Sequence, residues 1–196
     1  MSERARWAVL GAGVITGDFL AALPHAEHGV LHAVGARDGI RAREFADRFG
    51  APVAGTYDEV LARGDVDAVY IGTVHTTHAE RAHAALDAGK AVLCEKPLAL
   101  SLSGARTMHD ACQSAGVIFG TNHHLRNAAT HQAMRSLIAD GAIGRPLAAR
   151  VFHAVYLPSH LQGWRIDRPE AGGGVILDIT VHDADTLRFV LNDEAE

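Results

Sequence analysis

Residues 7–16 read Trp7-Ala8-Val9-Leu10-Gly11-Ala12-Gly13-Val14-Ile15-Thr16, WAVLGAGVIT. An unbroken apolar run suits a strand covered on both faces, and the stretch from Ile15 to Leu23 has helical spacing. A glycine-rich turn from strand to helix aims backbone amides and the positive end of a helix at one point, where a dinucleotide pyrophosphate can bind. Gly11 permits the tight turn, Gly13 lets the backbone approach the phosphates, and Ala12, Val14 and Ile15 complete the cradle. The third glycine of the usual spacing is displaced, with Thr16 in its place and Gly17 following. Glycine turns between strand and helix also arise for steric reasons alone, so the surrounding chain has to decide.

The surrounding chain repeats the pattern. VLHAVGA, AVYIG, AVLCE and VIFGT are further strand candidates, separated by helical spacing at about Ile40 to Phe49, Asp58 to Arg63, Thr77 to Ala88 and Ser103 to Ala115. Thr56-Tyr-Asp-Glu59 and Thr77-His-Ala-Glu80 spell capping boxes, and Gly89 and Gly116 fall where helices should stop. Alternation of this kind predicts an α/β protein with a Rossmann-type doubly wound parallel sheet over residues 1–122. After Asn122 the rhythm changes to a helix at about Ala128 to Ala139, a turn at DGAIGRP and an alternating run, Arg150 to Leu157. Residues 123–196 read as the beginning of a second α/β open-sheet domain for substrate binding and oligomerisation. Its sheet is expected to be incomplete, because no further strand pattern follows. With an exposed strand edge and an uncovered apolar helix face, the chain made alone is expected to self-associate and to have little activity.

Composition narrows the function classes. At 48% hydrophobic, 21% charged and a formal net charge of −5, nothing favours a polyanion, so no nucleic-acid partner is expected. No stretch has the length of a signal-peptide core or a membrane span, and Cys94 and Cys112 make no disulfide framework, which points to the cytoplasm and away from membranes. Thirteen histidines, His123 and His124 adjacent among them, raise the question of a metal. No spacing among them completes a ligand set with suitable carboxylates, and no metal is expected.

Near the end of the second strand, where NAD binders place an acid for the ribose hydroxyls, stand Ala36 and Arg37, with Arg41 and Arg43 one turn later. A small residue beside a guanidinium suits a 2′-phosphate and hence NADP(H) over NAD(H). The competing reading is a solvated basic cluster with Asp38 as a weak substitute acid. CEKPLALS places Lys96 at the carboxyl edge of the fifth strand candidate, where open sheets bind ligands, with Pro97 fixing the backbone beyond it. Farther on, Gly172 to Asp185, GGGVILDITVHDAD, puts Asp178, His182 and Asp185 on one helical stripe. Ile176, Ile179, Ala184, Leu187 and Val190 are then expected to turn toward apolar neighbours. The polar stripe is either a solvated face or a set of chemical groups.

GAGVIT, the segment Thr73 to His78 (TVHTTH), Glu95-Lys96-Pro97 and GGGVILDITVHDAD together resemble the Gfo/Idh/MocA family of nicotinamide-dependent sugar and cyclitol oxidoreductases. The resemblance spans nearly the whole chain. It implies that Lys96, Asp178 and His182 surround the nicotinamide and the reacting carbon. It also implies cofactor contacts from Thr73, His75, His78, Glu95, His123, Trp164 and Arg165, and a small cyclic sugar as substrate. In this reading His182 or Lys96 supplies the proton, Asp178 orients the imidazole, Lys96 polarises the carbonyl, and Asp185 supports the helix. His75 departs from the family's usual Asn, and Thr180 from its usual Gly. The resemblance implies NADPH-dependent reduction of a cyclic sugar ketone. The alternatives are oxidation of another cyclic sugar or inositol with NAD, and a nucleotide-binding module without turnover.

Overall fold

The computed structural model describes residues 4–154, 156–172 and 174–194. The chain divides into two compact units, Met1–Asn122 and His123–Glu196.

The first unit is a six-stranded parallel sheet. Its strands are β1 (Ala5–Leu10), β2 (Gly29–Ala36), β3 (Val53–Thr56), β4 (Ala68–Ile71), β5 (Ala91–Glu95) and β6 (Phe119–Asn122), in the order β3-β2-β1-β4-β5-β6. Its helices are α1 (Val14–Ala22), α2 (Gly39–Phe49), α3 (Tyr57–Leu61), α4 (His78–Asp87) and α5 (Leu102–Ala115). Side chains alternate across the pleat, so each central strand feeds two cores. Ala8, Leu10, Val69 and Ile71 pack with Val60, Ala82, Leu86 and Met108 from α3, α4 and α5. Val9, Val34 and Tyr70 pack on the other face with Leu20, Ala42 and Ala46 from α1 and α2. Phe19 stacks on Tyr70 with ring centroids 4.0 Å apart, an aromatic pair contributing about 1 kcal/mol beyond its buried area. This doubly wound arrangement reverses strand order between β1 and β4, and the loops after these strands meet at the switch point.

The sequence reading passes over β3. Its four residues, Val-Ala-Gly-Thr, are too few and too glycine-rich to show a period, and as an edge strand it pairs with β2 alone. The capping box at Thr56 and Glu59 forms. The one expected at Thr77 and Glu80 does not, because a 3-10 turn at His75–Thr77 runs directly into α4. The Thr77 amide therefore already donates to the Val74 carbonyl, and its hydroxyl lies 2.8 Å from that of Thr73. Gly50 and Gly116 end α2 and α5 in the left-handed conformation.

The second unit contains α6 (Ala129–Ala139), α7 (Ser159–Asp167), a π turn (Ile176–Thr180) and α8 (Val181–Leu191). The expected strand Arg150 to Leu157 is not formed among the described residues; Val155 lies outside them. The alternating pattern is real, but a strand exists only through a ladder partner, and no described segment pairs with this one. Phe152 is 83% and Tyr156 85% exposed as a result. Of the two readings of the last helix's polar stripe, the solvated face is not the one the structure shows. Asp178, His182 and Asp185 are buried, while Ile176 is 71% exposed and, of the five apolar residues expected to turn inward, only Val190 is buried. The buried carboxylates of Asp178 and Asp185 are met by Arg165 and Arg126, which removes the cost that would otherwise push them out.

Candidate active site

In the first unit the loop between β1 and α1 is pressed against the end of β4. Gly11 has φ +107°, and a Cβ there would stand 2.7 Å from the Gly72 carbonyl oxygen and 2.9 Å from its carbon. At Gly13 the same test gives 3.9 Å, so that glycine leaves open space on its exposed side. Thr16 is fully buried and directs its hydroxyl at the Gly72 carbonyl, 3.5 Å away. A side chain on Gly72 would collide with that hydroxyl and with the Tyr70 ring. Gly17 meets only the rim of Phe49 at 3.5 Å, an ordinary contact. Thr16 thus closes the cradle by packing on Gly72 where the common fingerprint has glycine.

α1 starts at Val14 without a side-chain cap or an acidic residue in its first turn, so its amides and dipole face outward uncompensated. Asp38, the substitute acid, is committed elsewhere: it caps α2 and accepts from the Arg41 amide at 2.8 Å. The Arg41 guanidinium reaches across to the carbonyl of Ala12 at 2.9 Å, which fixes a cation on the rim of the glycine loop. Ala36 is buried and Arg37 exposed at the mouth of β2. These features fit a phosphorylated dinucleotide: a cradle that a Cβ would fill, bare helix amides, and a guanidinium where an acid would oppose a 2′-phosphate.

At the ends of β4 and β5 stand Thr73, His75, His78, Glu95 and Lys96. The Lys96–Pro97 peptide is cis, and Lys96 is half-buried. Glu95 faces into the sheet, where its Oε1 accepts from the Tyr70 hydroxyl at 2.8 Å and from Asn122 at 2.6 Å. Burial and the Glu95 carboxylate together push the Tyr70 phenol far up, so it remains a donor. Glu95 is thereby a brace across β4, β5 and β6. His78 is held in the same way. It is fully buried, with Nδ1 2.8 Å from the Pro97 carbonyl and Nε2 3.1 Å from the Thr73 carbonyl. Burial lowers its pKa, aided by Lys96 and opposed by the two carbonyls and Glu95. His75 is buried beside it, ring edge to ring face at 5.6 Å between centroids.

In the second unit three polar pairs converge along the π turn and α8. Asp178 accepts from Arg165 Nε at 2.7 Å, and Arg165 also donates to the Leu161 carbonyl and lies 4.6 Å over the Trp164 ring. The structure gives Asp178 the Arg165 guanidinium as a partner. His182 stands edge-on to His124, with ring centroids 5.2 Å apart. Asp185 takes a two-pronged bond from Arg126, Nε to Oδ2 at 2.8 Å and Nη2 to Oδ1 at 2.5 Å. His123 Nδ1 stands 3.5 Å from the same carboxylate. Burial works to raise the Asp185 pKa, but the Arg126 bond and the His123 charge outweigh it and hold the group ionised. Arg126 was not singled out in the sequence. Its only signal there is a position two residues after the paired histidines. Among the described residues, no cluster of three or more His, Cys, Asp or Glu could hold a metal ion.

Residues 5–123 match the oxidoreductase family described as the Gfo/Idh/MocA NAD-binding Rossmann fold. The chain belongs to the Gfo/Idh/MocA oxidoreductase family. Residues 131–196 match the C-terminal domain of the same family. The 1,5-anhydro-D-fructose reductase of Ensifer adhaerens is 56% identical over 190 residues, which cover 96% of this chain and 57% of that protein. A probable dehydrogenase from Thermotoga maritima superposes with a TM-score of 0.86 at 30% identity, over 97% of this chain and 56% of that one. A 3-ketoreductase from Actinomadura kijaniata in complex with NADP superposes with a TM-score of 0.67 at 33% identity, over 73% of this chain and 46% of that one. The chain spans about half the length of the curated relatives it matches.

Proposed function

We propose that this Gfo/Idh/MocA chain binds NADPH and serves the reduction of the ketone of 1,5-anhydro-D-fructose to 1,5-anhydro-D-mannitol. The observation that carries the reading is the 56% identity to a 1,5-anhydro-D-fructose reductase across nearly the whole chain. When bound, the reduced nicotinamide supplies the hydride that the ketone carbon accepts. Arg41, anchored on the Ala12 carbonyl, and Arg37 beside it would meet the 2′-phosphate. Lys96 would polarise the carbonyl oxygen, and His182 would deliver the proton that the resulting alkoxide takes up. Asp178 would hold Arg165 through their 2.7 Å bond, keeping that guanidinium and the Trp164 ring against cofactor and sugar.

The test is absorbance loss at the reduced-nicotinamide band with purified chain, 1,5-anhydro-D-fructose and NADPH or NADH. Consumption with NADPH that disappears in His182→Ala supports the reaction. Retained NADPH binding without consumption reduces the reading to a nucleotide-binding module, and absence of both sinks it. A companion titration addresses cofactor choice. Arg41→Ala is expected to weaken NADPH binding roughly 10-fold and NADH binding little, the effect of losing one charge-assisted contact to phosphate. Equal losses for both nucleotides would assign Arg41 to loop structure alone.

The same reading places the protein in the cytoplasm, with the free thiols of Cys94 and Cys112 in keeping with a reducing setting, and without nucleic-acid partners. Among the described residues no helix is long and apolar enough to cross a membrane. Apolar side chains exposed on the second unit, Leu147, Phe152, Tyr156 and Ile176 among them, favour self-association. Light scattering on a size-exclusion column is expected to return a mass above 20.8 kDa, the mass of one chain. A monodisperse peak at the single-chain mass would count against association through that surface.

A further inference from the structure

We propose that His78 is the positioning residue for Lys96: its Nδ1–H donates to the carbonyl of Pro97 and fixes the turn on which the lysine stands. This rests on the role given to Lys96 above, but the link itself is a matter of geometry. His78 occupies the first turn of α4, fully buried, and its ring spans two loops that share no covalent neighbour. One is the turn after β5, through Pro97, the residue next to Lys96. The other is the loop after β4, through Thr73. A neutral imidazole has one N–H to offer these two carbonyls, and the shorter contact, 2.8 Å against 3.1 Å, goes to Pro97. The charged and titratable groups bearing on the ring are Glu95 and Lys96 from the β5 edge and His75 from the turn before α4. No open face of the ring is left for a ligand. The arrangement therefore serves to hold the two loops at a set distance, and with them the base of the Lys96 side chain.

The sequence contains two lysines, Lys90 and Lys96. Reductive methylation with 13C-formaldehyde keeps the charge of an amine and labels the accessible ones, the Lys96 side chain and the N-terminus. Lys90 is shielded from the reagent, because its ammonium is buried against the Arg63 and Val66 carbonyls at 2.7 and 2.9 Å, and the N-terminal dimethyl resonance serves as the reference. In His78→Ala and His78→Gln the Lys96 dimethyl resonance is expected to move toward the position of free dimethyl-lysine while that of the N-terminus stays in place. The smaller movement is expected for Gln, whose amide can still donate to one carbonyl. An unmoved Lys96 resonance in variants that keep the wild-type circular dichroism would overturn the proposal. Should either variant fail to fold, ring 15N shifts of His78 in the wild-type chain decide: protonation on Nδ1 is expected, and protonation on Nε2 alone defeats it. A catalytic reading of Lys96 fails separately, if Lys96→Ala retains turnover, and that outcome has no bearing on the Lys96 resonance read in the His78 variants.

Discussion

Gly11→Ala is expected to weaken NADPH binding by about 100-fold. An L-residue at φ +107° is strained by roughly 1–2 kcal/mol or more, even before contacts are considered. The new Cβ would also lie 2.7 Å from a backbone oxygen, and backbone cannot swing aside as a flexible side chain can. Overpacking of that kind costs about 1–3 kcal/mol, and the sum of about 3 kcal/mol corresponds to about two decades in an equilibrium constant. The loop can relieve the clash only by withdrawing from Gly72, which turns the amides at the start of α1 away from their common focus. Titration of NADPH fluorescence reads the loss, and a thermal melt reads whatever part appears as stability. Gly13→Ala is the control: its Cβ meets nothing of the protein nearer than 3.9 Å, so the melt should not move. Any loss of affinity there measures the approach of the nucleotide itself. Unchanged binding in Gly11→Ala would remove this loop from the nucleotide site.

The second large effect concerns Arg126. Asp185 is 5% exposed, and Arg126→Ala would leave its carboxylate without the two bonds that hold it ionised. Breaking a buried pair from one side costs about 3–5 kcal/mol. Since the arginine itself is only half-buried, we expect about 2–3 kcal/mol and a melting midpoint lower by roughly 10 °C for a unit of this size. The pH dependence has a definite sign. In the wild type the Asp185 pKa is depressed, so the stabilisation is fully present above the ordinary carboxylate value of 3.8 and is lost as pH falls through the lower, folded-state value. In the variant, burial acts unopposed by Arg126 and raises the pKa, so the gap between the two melts should narrow as the medium is acidified. Arg126→Ala combined with Asp185→Asn should be more stable than Arg126→Ala alone. If the double variant is no better, the loss lies in the packing of Arg126 over the Phe189 ring.

Much of the first unit was legible because a parallel sheet buried on both faces writes its central strands as continuous apolar runs, as at Val69 to Ile71 and Val92 to Cys94. Its edges were less so, and β3 went unread because four residues carry no period. The glycine loop was legible at Gly11, whose left-handed φ belongs to a recognisable motif. Gly72 was not: it is required because Thr16, 56 residues earlier in the chain, and the Tyr70 ring both fold against it. The same holds for Arg126, which meets its carboxylate 59 residues later. The spacing of Asp178, His182 and Asp185 correctly gave one stripe, but spacing cannot say which way a stripe faces. That depended on arginines and histidines from other turns being present to receive it. Resemblance named Glu95 and His78 as cofactor contacts; the bracing each provides joins strands and loops far apart in the chain, which spacing does not show.

The π turn at Ile176–Thr180 carries one more residue per turn than the α-helix it joins. Substitution within it changes a side chain, whereas loss of a single residue would wind the turn down to α and rotate everything upstream by about 100° relative to α8. Asp178 would then leave the line of His182 and Asp185, and its grip on Arg165 with it. The length of this segment is thus under tighter constraint than its spelling, and variation among related chains should run through its letters and spare its count.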